Sequence, residues 1–292
     1  MLTRWVGVLA AATVAVAASA GTSTPGVSPP RVPALKRVVV VVFENQSYGQ
    51  VIGKPWAPTF NRMARRYALL KRYFAVAHPS LPNYLALVSG STQGVTDSCN
   101  ECAFLGDSLA DTIEASGRTW KTYAEGLPAP GFTGAASGRY AKKHNPLLYF
   151  TKVLADPTRL VRIVPFTEFA GDLSRGRLPD LSLVIPDLCN SMHDCSIAQG
   201  DAWLDAFLKP LLASSQLSGG AVFVTFDEAS GKHTTGGGHV TTLVLGPKVQ
   251  PGARSAANLT HYSLLRTIED GWRLPHLGKA ATAAPITGIW RR

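Results

Sequence analysis

The chain has 292 residues, of which 29 are Lys or Arg and 19 are Asp or Glu, giving a formal charge of +10 with 46% hydrophobic residues. That length and apolar content exclude a disordered chain and leave room for one large core. The basic residues are scattered, clustering only briefly in RMARRY and YAKKH, so the charge reads as a solvated surface suited to an anionic substrate. No nucleic-acid partner is expected, because no zinc-finger, helix-turn-helix or RNA-recognition pattern is present.

In chain order, MLTRWVGVLAAATVAVAASA places Arg4 before a run of small apolar residues, Val6 to Ala18, and closes on Ala18-Ser19-Ala20, a small-x-small cleavage site. Residues 1–20 are therefore expected to be a signal peptide, leaving a secreted protein with no integral membrane segment after cleavage. GTSTPGVSPPRVPA (21–34) reads as a flexible Pro/Ser-rich tether, and residues 35–292 as one domain, monomeric by default.

Beyond the tether, KRVVVVVFEN (36–45) is a β-branched run with a polar end, the pattern of a strand buried on both faces. LSLVIPD (181–187) and AVFVTFDE (221–228) repeat it, and HVTTLVLGP (239–247) starts polar instead. Helical patterns fall near 58–70, 83–89, 107–117, 200–215 and 261–273. The alternation predicts an α/β sandwich. In an exported chain the two close cysteine pairs predict local disulfides, Cys99–Cys102 and Cys189–Cys195.

Three strands end in carboxylates: Glu44, Asp187, and Asp227 with Glu228. In open α/β sheets ligands bind at that edge, and gathered carboxylates repel one another unless a cation neutralises them. A second cue is HPSLPNYLALVSG (78–90), which sets Ser80 between two prolines at the mouth of an apolar helix. A serine so placed is ordinarily an N-cap, and His78, His193 and His239, each taken singly, are ordinarily structural.

Taken together, ENQSY, HPSLPNYLALVSGST, YAEGLP, KHNP, IPDLCNSMHDCSIAQGDAWL, TFDE, GGGHVTTLVLGP and HYSLLRTIED resemble, in this order, the bacterial phosphoesterase family of secreted acid phosphatases and phospholipases C. The stretch SIAQGDAWL is similar to the small mycobacterial-type secreted acid phosphatases. The resemblance implies an alkaline-phosphatase-like core: a single-domain sandwich with a central, mostly parallel sheet flanked by helices. It also implies a divalent cation on Glu44, Asn45, Ser80, Asp227 and Glu228, with Ser80 as nucleophile. Oxygen-rich ligands suit Ca²⁺, Mg²⁺ or Mn²⁺, and nearby histidines keep Zn²⁺ or iron in play. Asn83, His144 and His78 would contact substrate. His193 and His239 would act on the leaving group, or hold a second cation with Asp187. One departure is Ser191, where the mycobacterial-type pattern has an aspartate. The expected activity is phosphomonoester hydrolysis of a small-molecule or lipid phosphate through phosphoserine. The alternatives are a phospholipase C-type diesterase and an inactive phosphate-ligand binding protein.

Overall fold

The structure is a computed structural model that describes residues 1–3, 32–231 and 236–291. Apart from residues 1–3 and 32–34, the expected signal peptide and tether lie outside the described residues. By internal contacts the chain divides into Met1–Pro30 and Arg31–Arg292, and every described helix and strand belongs to the second unit.

The strands are β1 (Val38–Phe43), β2 (Ala68–Leu70), β3 (Tyr73–Phe74), β4 (Trp120–Ala124), β5 (Ala136–Ser137), β6 (Tyr140–Ala141), β7 (Ile163–Pro165), β8 (Leu181–Ile185), β9 (Ala221–Phe226), β10 (Thr242–Leu245), β11 (Arg254–Ser255) and β12 (Leu259–Thr260). Eight of them form one sheet in the order β11-β2-β10-β9-β1-β8-β4-β7. The run from β9 to β7 is parallel, while β10 is antiparallel to both β9 and β2. The expected mixed sheet, mostly parallel, is therefore present. Two small two-stranded pairs, β12-β3 and β5-β6, lie outside it.

The helices are α1 (Tyr48–Val51), α2 (Pro58–Arg66), α3 (Ser80–Ser89), α4 (Leu109–Ala115), α5 (Thr151–Leu154), α6 (Pro157–Leu160), α7 (Thr167–Ser174), α8 (Ile197–Ala213) and α9 (His261–Trp272). They cover the sheet on both faces, and β1 shows why its sequence is apolar at every position. Val40 packs into a cluster with Leu87, Leu109, Leu264 and Ile268 from α3, α4 and α9. Three residues on, and so on the opposite face, Phe43 meets Phe60 of α2 at 5.4 Å and Trp203 of α8 at 5.8 Å. All six β1 residues are buried, each contributing about 1.5–3 kcal/mol by area.

The expected strands are found two to five residues shorter than the runs read for them, because the polar residues at the ends of those runs leave the sheet. One helix is shorter than its sequence pattern. The pattern over 58–70 breaks at Arg66, where Tyr67 leaves helical geometry. Ala68–Leu70 instead pairs with β10 and buries all three side chains. Among the described residues no helix is long and apolar enough to cross a membrane.

Candidate active site

The C-terminal ends of β1 and β9 bring the carboxylates together. Phe43 and Phe226 are in register, so Glu44 and Asp227 leave the sheet side by side. Asn45 follows with φ 56°, a left-handed turn that asparagine tolerates. Its backbone N–H donates to Asp227 Oδ1 at 3.0 Å. Glu44 and Asp227 are fully buried and Glu228 is 6% exposed. Asp227 Oδ2 has no hydrogen-bond partner among the described groups.

Ser80 is not the cap of α3. Pro79 holds that position and makes no side-chain capping bond. The Ser80 hydroxyl points away from the helix amides and donates to Glu44 Oε2 at 3.1 Å, with Glu228 Oε1 at 3.4 Å. Tyr84, one turn further along α3, donates to the other oxygen of Glu44.

The loop before Ser80 is clamped from two sides. Asn83 Oδ1 accepts from the amides of Val76 and Ala77, and its Nδ2 donates to the carbonyls of Ala77 and Pro79. The amide expected to meet phosphate is thus engaged with the serine loop. Gly237 lies against the same loop, where a Cβ would sit 2.2 Å from the Ala77 carbonyl oxygen; the glycine run permits that approach. The His78–Pro79 bond is cis. His78 Nδ1 reaches Glu228 Oε2 at 2.5 Å, so this histidine contacts a carboxylate in addition to flanking the serine loop.

Opposite Ser80 lie His144 and His193. His144 Nε2 is 3.3 Å from Glu44 Oε2 without hydrogen-bond geometry. Burial, then the charges of Lys143 and His193, hold its imidazole well below the usual histidine range, so this contact is not an ion pair. Glu44, His144 and His193 offer ligand-type atoms within 4.8 Å of one another.

The expected grouping of Asp187, His193 and His239 does not form among the described residues. Asp187 Oδ1 accepts the amides of Cys189 and Asn190 and shapes the loop closed by the Cys189–Cys195 disulfide. Cys99 and Cys102 are bonded likewise. His239 stacks on Tyr48 at 4.4 Å and donates to the Lys71 carbonyl. Ser191 is buried beside Glu44, its carbonyl accepting the Glu44 amide. The carboxylate absent there is supplied to His193 by Asp194 instead, at 2.6 Å.

Three participating residues fall within the motifs quoted above, although no role is read for them there. His261 opens α9 and is fully buried. Its Nε2 donates to the Asp227 carbonyl at 2.6 Å, and its Nδ1 accepts from the Tyr73 hydroxyl at 3.1 Å. Burial lowers it to about 4, so it stays neutral. Tyr84 read as core. Lys143 read as part of a short basic cluster, although its place beside His144 in YAKKH was the available hint.

The electrostatics favour a cation. Burial pushes Glu44 well up, the Asp227 charge adds to this, and the Tyr84 bond opposes it. Burial also raises Asp227. Burial, then Asp227, raises Glu228 to about 8. An all-oxygen set with an unpartnered Asp227 oxygen fits a hard divalent cation.

A pH dependence follows. These carboxyls have folded values above their unfolded ones, so between 4.5 and about 8 the native state binds more protons than the unfolded state. The chelated protein should keep its full stability below that window and lose melting temperature across it as pH rises. Added divalent cation should flatten the loss. Calorimetry at several pH values checks this, and a melting temperature that rises across the window in chelator contradicts it.

The profile of the Phosphoesterase family matches residues 54–275. The chain is 39% identical over 293 residues to a phosphatidylinositol-3-phosphatase of Mycobacterium tuberculosis, covering 99% of this chain and 90% of that one. It is 33% identical to an acid phosphatase of Aspergillus fumigatus, covering 78% of this chain but 53% of the fungal protein. Among solved structures, an alkaline phosphatase superfamily protein of Vibrio parahaemolyticus superposes with TM-score 0.59 at 15% identity, covering 88% of this chain and 72% of that one. That likeness shows the fold alone.

Proposed function

The chain belongs to the phosphoesterase family and is a hydrolase of phosphoric ester bonds; we propose that it is a secreted, metal-dependent phosphomonoesterase of the acid phosphatase type, with Ser80 as nucleophile. The observation that carries this reading is the Ser80 hydroxyl, turned off the helix amides onto Glu44 and Glu228. Export rests on the leader-like residues 1–20 and agrees with two disulfides and no free cysteine among the described residues. The domain is taken to be residues 35–292.

A divalent cation on Glu44, Asn45, Ser80, Asp227 and Glu228 would offset the carboxylate repulsion, acidify the serine hydroxyl and draw charge from the phosphoryl group. This set is preferred over Glu44, His144 and His193, because the His193 lone pair already has a partner in Lys143. Ser80 Oγ attacks phosphorus as its proton passes toward Glu44; the phosphorus–oxygen bond to the leaving group breaks on the His144 and His193 side, and the departing oxygen takes a proton from water to leave as the alcohol. Water then hydrolyses the phosphoserine, releasing phosphate and restoring the hydroxyl. The first amides of α3 face the incoming anion. Asn83 and His78 keep Ser80 and Glu228 in place, and His261 fixes the Asp227 backbone. The mycobacterial relative's name suggests phosphoinositide monoesters among the substrates.

The test is p-nitrophenyl phosphate turnover before and after chelation, with each divalent cation restored in turn, beside a choline phospholipid. Cation-restored monoester release is expected. Cleavage of the phospholipid alone would favour a phospholipase C-type diesterase, and no release with any cation would favour a binding protein.

A further inference from the structure

Lys143 lies in the short turn Lys142–His144 that follows β6, and its neighbours are anchored. The Lys142 ammonium donates to the Asn100 carbonyl at 2.7 Å and sits over the Tyr149 ring. His144 is 2% exposed. The turn therefore holds the Lys143 backbone while its side chain extends into the half-buried space of the site.

There the ammonium lies 3.3 Å from His193 Nε2. An ammonium has three donors and no lone pair, so His193 must accept at Nε2 and carry its hydrogen on Nδ1. That hydrogen points to Asp194 Oδ1 at 2.6 Å. Asp194, His193 and Lys143 thus form one chain: the carboxylate fixes the tautomer, and the imidazole fixes the ammonium. Lys121 and Lys152 sit against carboxylates, whereas among the described residues Lys143 has no carboxylate within 4.0 Å.

Resting on the Ser80 reading above, we propose that Lys143 is a second cationic contact for the substrate phosphoryl group, opposite the carboxylate-bound cation, and that it selects phosphate monoester dianions over diesters. A monoester dianion carries one negative charge more than a diester, and a fixed ammonium on the far side of phosphorus matches that charge. The same ammonium occupies the His193 lone pair that a further metal ion would need. Its field reaches the catalytic groups, favouring the charged forms of Glu44 and Glu228 and disfavouring that of His144.

The test compares wild type with Lys143→Met and Lys143→Arg. It reads Mn²⁺ affinity by electron paramagnetic resonance, inorganic phosphate affinity of the Mn²⁺-loaded proteins by calorimetry, and turnover of p-nitrophenyl and bis(p-nitrophenyl) phosphate. Lys143→Met is expected to bind Mn²⁺ as tightly as wild type or more tightly, since a positive charge leaves the site. It should bind phosphate roughly ten- to a hundredfold more weakly, the range of a charge-assisted hydrogen bond. Its monoester-to-diester ratio should fall by a similar factor, with Lys143→Arg restoring part of both.

Unchanged phosphate affinity and unchanged ester preference in a folded Lys143→Met protein would overturn the proposal while leaving the Ser80 reading intact. Loss of Mn²⁺ binding would also overturn it, showing that Lys143 supports the fold of the cation site. Weakened phosphate binding beside a wild type that hydrolyses no ester would uphold the anion contact and sink the catalytic reading.

Discussion

Ser80→Ala is expected to lower p-nitrophenyl phosphate turnover by at least about three orders of magnitude, the scale seen when a covalent nucleophile is removed. Its melting temperature should stay within a few degrees of wild type, because the hydroxyl makes no capping bond to α3 and the helix keeps its N-terminus at Pro79. The hydroxyl donates to Glu44 Oε2, but Tyr84 still donates to that carboxylate, so Glu44 is not stranded by the change. Steady-state kinetics and a thermal melt on the same preparation check both halves. Near-normal turnover would remove Ser80 from the chemistry, and a collapse in stability would return it to a structural role.

Asp227→Asn should separate stability from function in opposite directions. The substitution is nearly isosteric, and an asparagine oxygen can still accept from the Asn45 amide. It takes one charge out of a buried group in which Glu44 and Glu228 are both raised by Asp227. The chelated variant should therefore melt higher than chelated wild type near neutral pH. Its Mn²⁺ affinity should drop by about two orders of magnitude or more, since even outer-sphere partners of a bound metal are worth 10–100-fold. Turnover should fall with it. Such a pairing is the usual trade at a functional site, where repulsion is tolerated because the bound ion relieves it. A variant that melts lower in chelator, or that binds Mn²⁺ as wild type does, contradicts this assignment.

Much of the fold could be read from particular stretches of sequence. β1, β8 and β9 are buried on both faces, so period-two alternation disappears and a bare apolar run remains. The abrupt acidic end of each run then marks the ligand-binding edge. β4 and β7 escaped because neither leaves an uninterrupted apolar run: β4 is broken by Lys121 and Thr122, and β7 is three residues ending in Pro165. Residues 68–70 joined the helical pattern because three apolar residues after an amphipathic helix cannot reveal that their partner is β10, some 170 residues on.

The candidate site was legible as a placement wherever chemistry and local sequence coincide: Glu44, Ser80 and the Asp227–Glu228 pair do come together at one sheet edge. It was not legible where a residue's role depends on distant partners. Asn83 reads as a phosphate contact until its amide is seen closing the loop from Val76 to Pro79. His239 reads as a catalytic histidine until its ring is found against Tyr48. Lys143 reads as surface charge until His193 and Asp194 are placed beside it. These are tertiary facts, set by which strand ends and loops the topology brings to one edge.

The most direct measurement is acid-quench mass spectrometry of the cation-loaded protein turning over p-nitrophenyl phosphate, with the proteolytic peptides searched for phosphate. A phosphoryl group on the peptide that begins the SLPNYLALVS helix, localised to Ser80 and absent from Ser80→Ala, is the predicted result. Full turnover with no phosphopeptide at any quench time, together with inversion of configuration in a chiral phosphoryl substrate, would show that water attacks phosphorus directly and would contradict the nucleophilic role of Ser80.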